Sequence, residues 1–360
     1  MPGLPSPGPN TPFPSIADLI TLQTFSVSSA TDRILLYARA TAINPASLSF
    51  NFTLPALQFT ILLPHATENS APFIPVAAVH TQPLTLTHPN ITIVIAGAAL
   101  PISSPSIPVL SAFITNYVRG ESSPIVISNP YLPSLLIETN FPGPSPKPKI
   151  LRNVSIHNMK LVPKGTAFMA SGTVYARVVL PRGMDINLDV NRVLPDVLIF
   201  DGEVPLVSQW KNNNKDSGPA PPLPDPLPER AFARIRPNQW LDSLSKADEV
   251  PGAEGSVYTV TADLVDVPLQ VLPDREKTFS SFVGKVCIFL LLLFVWIATD
   301  ETSTYRQVVF GSKGAVAGLL GNAAVTIDVE GLPTGSGEAG EMELSGLPFQ
   351  GSVVVGKRSL

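Results

Sequence analysis

Ser171–Val190 reads SGTVYARVVLPRGMDINLDV, and its second half decides the fold. From Met184 to Val190 apolar and polar residues alternate one for one: Met184, Ile186, Leu188 and Val190 against Asp185, Asn187 and Asp189. Successive side chains of a strand point to opposite faces, so this is the pattern of a half-buried β-strand. The first half is rich in β-branched and aromatic residues, and Leu180-Pro181-Arg182-Gly183 between the halves is a turn.

An earlier stretch has the same grammar. Leu36-Tyr37-Ala38-Arg39 matches Val174-Tyr175-Ala176-Arg177, and each is followed by a proline-bearing turn (Asn44-Pro45 in the first case) and then an alternating strand. The spacing of about 140 residues predicts two copies of one β-domain. Further strands are expected at Phe25–Val27, Leu48–Leu54, Leu84–Leu86, Ile91–Ile95, Ile125–Ile127, Leu135–Ile137 and Val154–Ile156. Each copy is expected to carry one helix. In the first, Val109, Leu110, Phe113, Ile114, Tyr117 and Val118 recur at helical spacing between Pro108 and Gly120. In the second, Asn238 would cap a helix with Trp240, Leu241 and Leu244 on its apolar face.

Composition agrees with a β-rich fold. The 360 residues include 39 prolines, spread among β-branched residues rather than gathered in one tract, and proline breaks helix interiors. The expected organisation is a Pro-rich flexible N-terminus (1–14), a first β-domain (15–142), a linker (143–149) and a second β-domain (150–360). Within the second, 212–228 reads as a mobile polar loop and 286–307 as an insertion. Met1–Pro14 has no basic and no apolar segment, so it is not a secretory signal.

Val286–Ala298 reads VCIFLLLLFVWIA, the one membrane-like run. Thirteen residues at about 1.5 Å each make roughly 20 Å of helix, short of a hydrocarbon core of about 30 Å. A retained intron explains the run better. Val286-Cys287 can be encoded by a fungal splice donor, the Phe/Leu run by pyrimidine-rich sequence and Gln307 by an acceptor, and removing 286–307 keeps the frame.

Several chemistries are excluded. A net charge of −4, with Lys147, Lys149 and Arg152 as the nearest basic cluster in a linker, argues against nucleic-acid binding. The single cysteine, Cys287, allows no intramolecular disulfide. His65, His80, His88 and His157 lack metal-ligand spacing and read as surface residues. Gly335–Gly340 matches GxGxxG, but a strand pattern follows it where a dinucleotide site needs a helix. Gly351–Lys357 lacks the Ser/Thr and the helix of a phosphate loop. Asp185, Asn187, Asp189 and Asn191 imitate a calcium loop, yet Val190 stands where glycine must curl it, so they are expected on the polar face of a strand. No catalytic, cofactor or metal residue is expected, and the chain is read as non-enzymatic. Asn51, Asn90 and Asn153 are candidate N-glycosylation sites.

Four segments together carry a resemblance: Ala42–Pro55 (AINPASLSFNFTLP), Ser171–Val190, Arg236–Ala247 (RPNQWLDSLSKA) and Asp266–Lys285 (DVPLQVLPDREKTFSSFVGK). The chain resembles the fungal tandem LEA-2-like domain family. This family includes a vacuolar membrane protein implicated in terminating autophagy, and its members are often labelled pre-rRNA processing proteins. The resemblance implies LEA-2-like β-sandwiches of immunoglobulin or fibronectin type, held in the vacuole lumen by an N-terminal membrane anchor absent from this sequence. It implies an interaction or sensing role in autophagy control, with protein partners unspecified and no catalytic residues. A lipid- or apolar-ligand-binding module is the alternative, marked by an apolar pocket of several hundred Å³.

Overall fold

A computed structural model describes residues 20–44, 52–65, 72–165, 167–205, 222–249, 254–283, 317–333 and 341–354. The protein is mainly β, built on two large sheets. The first unit contains β1 (Ile20–Ala30), β2 (Arg33–Ile43), β3 (Thr53–Leu54), β4 (Gln58–Pro64), β5 (Phe73–Thr81), β6 (Leu84–Thr85), β7 (Asn90–Ala99), helix α1 (Ile107–Val118), β8 (Ser123–Asn129) and β9 (Leu132–Phe141). The second contains β10 (Leu151–Lys164), β11 (Ala167–Val179), β12 (Met184–Asp185), β13 (Leu188–Asp201), β14 (Ala231–Ile235), β15 (Leu241–Asp248), β16 (Val257–Val271), a helix α2 (276–283), β17 (Ala317–Val329) and β18 (Met342–Val354).

The units share one strand order. The first sheet runs β1-β2-β7-β5-β4-β8-β9, and the second runs β10-β11-β16-(β14, β15)-β13-β17-β18. In each the helix falls between the strand that joins the opening hairpin (β7 or β16) and the next one in sequence (β8 or β17). Tyr37 and Tyr175 therefore both sit in the second strand of the unit, opposite Ser26 and Ser155 respectively.

The second sheet closes on itself. β14 and β15 fill one position jointly, each bridging β13 and β16. β18 then pairs in parallel with β10, from Val154↔Gly351 to His157↔Val354. The interior of this ring is packed with Val197, Ile199, Ala233, Ile235, Val260, Leu269, Leu319, Met342 and Leu347, all buried. β13 from Val193 to Phe200 and β17 from Ala317 to Ile327 are buried on both faces. Outside the ring, Leu198, Phe200, Ala231, Leu272 and Leu320 form a second core, against which Val204, Leu223 and Leu227 pack. The polar loop expected at 212–228 is therefore held in its described part, residues 222–228.

The first sheet stays open. β9 is bonded to β8 alone, and β1 takes β12 of the second unit as a parallel partner at Val27↔Met184 and Ser28↔Asp185. Gly183 makes this junction: its φ is +85°, a Cβ would lie 2.6 Å from the Phe25 carbonyl, and its own carbonyl accepts the Val27 N–H at 2.7 Å. Helix α1 lies where the period put it, with Pro108 in its first turn and Gly120 (φ +73°) after its end. It fills the space between the units: Tyr117 and Val118 belong to one continuous core with Val27, Phe349 and Val353.

One helix expectation is overturned. Leu241–Asp248 is strand β15, and Leu244 is 77% exposed instead of packed. The inward positions are Leu241, Ser243 and Ser245. Ser243 donates to the Val190 carbonyl at 2.8 Å, and Ser245 Oγ accepts the Val190 N–H at 2.9 Å, beside the β13 bulge at Val190/Arg192. Backbone groups freed by that bulge thus find hydroxyl partners only if 241–248 is extended, and that demand outweighs a local helical pattern.

Tyr175 likewise faces outward, half-buried edge-on to His157, so it is not a core ring. The core tyrosine of the second unit is Tyr258, whose hydroxyl donates to the Ile186 carbonyl and accepts the Leu188 N–H at 3.2 Å. Burial raises its pKa. Tyr258→Phe should lower stability by about 1 to 3 kcal/mol in a denaturant titration, since two buried backbone groups lose their partner. Gly351→Ala should be similarly costly, because its Cβ would collide with the Val154 carbonyl at the parallel joint. A stability equal to the parent's would show the joint to be dispensable.

Candidate functional site

An apolar concavity among the described residues is built by the ends of two strands and one helix face. Ala167 and Phe168 open β11, and Leu269, Gln270 and Val271 close β16, with Phe168 paired to Leu269. Leu272 and Pro273 end the strand, Asp274 turns the chain with φ +59°, and α2 begins at Glu276. Glu276, Phe279, Ser280 and Val283 then recur at positions i, i+3, i+4 and i+7, which places them on one face of α2, toward the sheet. Together these residues line an open groove of about 700 Å³.

Aromatic packing fixes the helix in place. Phe279 is 7% exposed; its ring meets Phe168 edge-on at 5.0 Å and Phe232 of β14 at 6.1 Å. Phe282 lies tilted against the same Phe232 ring at 4.7 Å. Ala167, Phe168, Leu269, Val271, Phe279 and Val283 make the wall apolar. Gln270, Glu276 and Ser280 are exposed at its rim. The lining holds no imidazole, amine or thiol, and Glu276 is its one charged group.

Elsewhere the polar residues singled out by sequence serve the fold. Asp185, Asp189 and Asn187 are exposed, and Met184, Ile186, Leu188 and Val190 buried, as a strand face requires. Asn187 donates to Glu330 at 3.0 Å and Asn191 to Asp328 at 2.7 Å, while Ser245 donates to Asp189 at 3.3 Å. No group of three His, Cys, Asp or Glu among the described residues could hold a metal ion. His80 and His88 are exposed, and His157 shares a hydrogen bond of 3.0 Å with Ser155. Of the basic trio, Arg152 pairs with Glu254 at 2.6 Å.

The most buried charges are Asp196 and Arg234, with the part-buried Arg236 beside them. Arg234 grips Asp196 with two bonds of 2.7 and 2.6 Å, and Arg236 adds a third at 3.3 Å. With both carboxylate oxygens occupied, this cluster is a structural clamp between β13 and β14.

Asn90 and Asn153 are exposed, Asn153 at a β10 bulge with φ +51°. Asn51, the Gly335–Gly340 motif, the end of Gly351–Lys357 and the whole of 286–307 lie outside the described residues. No helix among the described residues is long and apolar enough to cross a membrane.

Neither helix α2 nor the groove was anticipated from the sequence, although the Glu276/Phe279/Ser280/Val283 spacing after Pro273-Asp274 signals such a helix. The sequence matches no family model. A search of curated proteins likewise finds no relative.

Phe279→Ala should destabilise the protein by about 3 to 5 kcal/mol, since it empties a site shared by three aromatic rings. Ser280→Ala, one residue on but solvent-exposed, should stay within about 0.5 kcal/mol. Equal effects in a chemical denaturation series would place the Phe279 ring outside the core.

Proposed function

We propose that this chain is a non-enzymatic binding protein that holds an apolar chain, such as a lipid tail, in the groove between α2 and the adjoining ends of β11 and β16. The observation carrying this reading is the groove itself. Its roughly 700 Å³ falls within the range of small-molecule sites, and its wall is apolar with a few polar groups at the rim. The ring interior beside it is packed, so the groove and not the core is the place for a ligand. An apolar molecule entering it gains the free energy of leaving water, about 25 cal/mol per Å² covered.

The strand order repeated in the two units supports the narrower reading as tandem LEA-2-like, immunoglobulin-type domains, divided near Gly143. With that resemblance comes a location on the lumenal side of the vacuolar membrane and a part in autophagy control. A lipid-holding groove is compatible with work at a membrane. A pre-rRNA role has less behind it, because the net charge of −4 offers phosphates no general attraction.

The test is a fluorescence titration of the full chain with a polyene fatty alcohol, whose emission rises in apolar surroundings. Saturable binding is expected, and Ser280→Trp, which fills the groove from an exposed position, should abolish it while leaving the thermal transition unchanged. Binding that survives Ser280→Trp, or no saturable binding by the parent chain, would refute the proposal.

A further inference from the structure

The groove has one charged wall residue, and resting on the binding role proposed above, we infer that it selects ligands whose polar end is uncharged and discriminates against free fatty acids and other anionic lipids. Glu276 lines the groove at the start of α2. Its carboxylate is exposed and enters no ion pair or hydrogen bond with the other described residues. The other polar groups on the wall, Gln270 and Ser280, are neutral and offer both donors and acceptors. An alcohol or an N–H amide can bond to all three, and an ester, which only accepts, to the two neutral groups. A carboxylate meets two neutral groups and one like charge.

Two features pull the other way and are weaker. The N-terminus of a helix carries about +0.5 of an elementary charge, which favours anions. Glu276, a full negative charge in the first turn, already answers it. Arg275 and Lys277 are adjacent in sequence, but about 100° around the helix from Glu276, and neither lines the groove. Of these charges only Glu276 lines the groove, so it is the one a ligand's end meets. The lining face of α2 extends from Glu276 to Val283, about 10 Å along the axis at 1.5 Å per residue. A chain lying along the apolar wall brings its polar end back to Glu276.

The experiment compares the polyene alcohol with the polyene acid of the same chain length, at neutral pH and low salt, using the full chain and two variants. The alcohol should bind about five-fold more tightly, the factor given by roughly 1 kcal/mol of repulsion between unit charges close together in water. Glu276→Gln should remove the preference by strengthening acid binding, and Glu276→Lys should invert it. Added salt should shrink the difference in the parent chain. Equal binding of the two probes by the parent, or a preference that persists in Glu276→Gln, would overturn this inference and leave the groove as a binding site. Failure of both probes to bind would overturn the binding role as well.

Discussion

The parallel pairing of β18 with β10 is the interaction on which the second unit depends. Neighbouring strands in a sheet built from hairpins alternate in direction. A ring with an even number of positions can keep that alternation throughout, but this one has seven, so one joint must be parallel. The reward of closure is that no strand of this sheet is left with an unpaired edge. The requirement falls on Gly351, where the backbone of β10 comes too close for any side chain. In the first unit the same joint is not made. β1 instead pairs over two residues with β12, and the corresponding edge strand, β9, lies at the margin of the sheet. That margin is guarded. Three residues of β9 leave the ladder between the Asn129↔Leu132 and Ser128↔Leu136 pairs, and Glu138 stands exposed beyond them. A bulge and a charge are the ordinary means by which a free edge avoids pairing with another chain.

The open joint of the first unit is also what ties the two units together. Because β1 is not sealed by β9, its edge can accept β12, and Phe25 can pack against Tyr117 and Phe141 at 5.8 and 5.0 Å. Helix α1 then has an apolar surface on either side, one from the first sheet and one from β18. Val27 and Ile34 of the first unit end up in the same core as the ring interior.

How much of this could be read in the amino-acid sequence varied with the range of the interactions involved. Met184–Val190 alternates in burial residue by residue, as its period two requires, and α1 matches its helical spacing. Both are set by whether a face meets the core. Gln58–Pro64 and Phe73–Thr81 escaped notice because their apolar residues run together instead of alternating. Arg236–Ala247 misled because Trp240, Leu241 and Leu244 fall at helical spacing, whereas the deciding partners of Ser243 and Ser245 lie on β13, more than fifty residues earlier. The groove could not have been foreseen at all, since it needs Phe168 beside Leu269, a hundred residues apart in the chain and joined only by the β11–β16 register.

The groove in turn depends on the break between β14 and β15. One uninterrupted strand between β13 and β16 would have to follow a single register. Two short ones let β14 pair with the end of β16 while β15 pairs with its beginning. The chain between them, 236–240, is held by charge at both ends. Arg236 reaches Asp196, already gripped by Arg234, and Arg192 lies over the Trp240 ring at 5.9 Å while bonded to Glu341. Isolated surface pairs contribute little to stability, but a carboxylate 5% exposed, with its oxygens taken by two guanidiniums, is costly to break once formed. That clamp fixes where β14 ends, and so where Phe232 stands. Phe232 carries Phe279 and Phe282, and these two rings set the distance of α2 from the adjoining ends of β11 and β16. The width of the apolar groove thus depends on an ionic cluster whose Arg234 stands opposite Gln270, a residue of the groove's own wall.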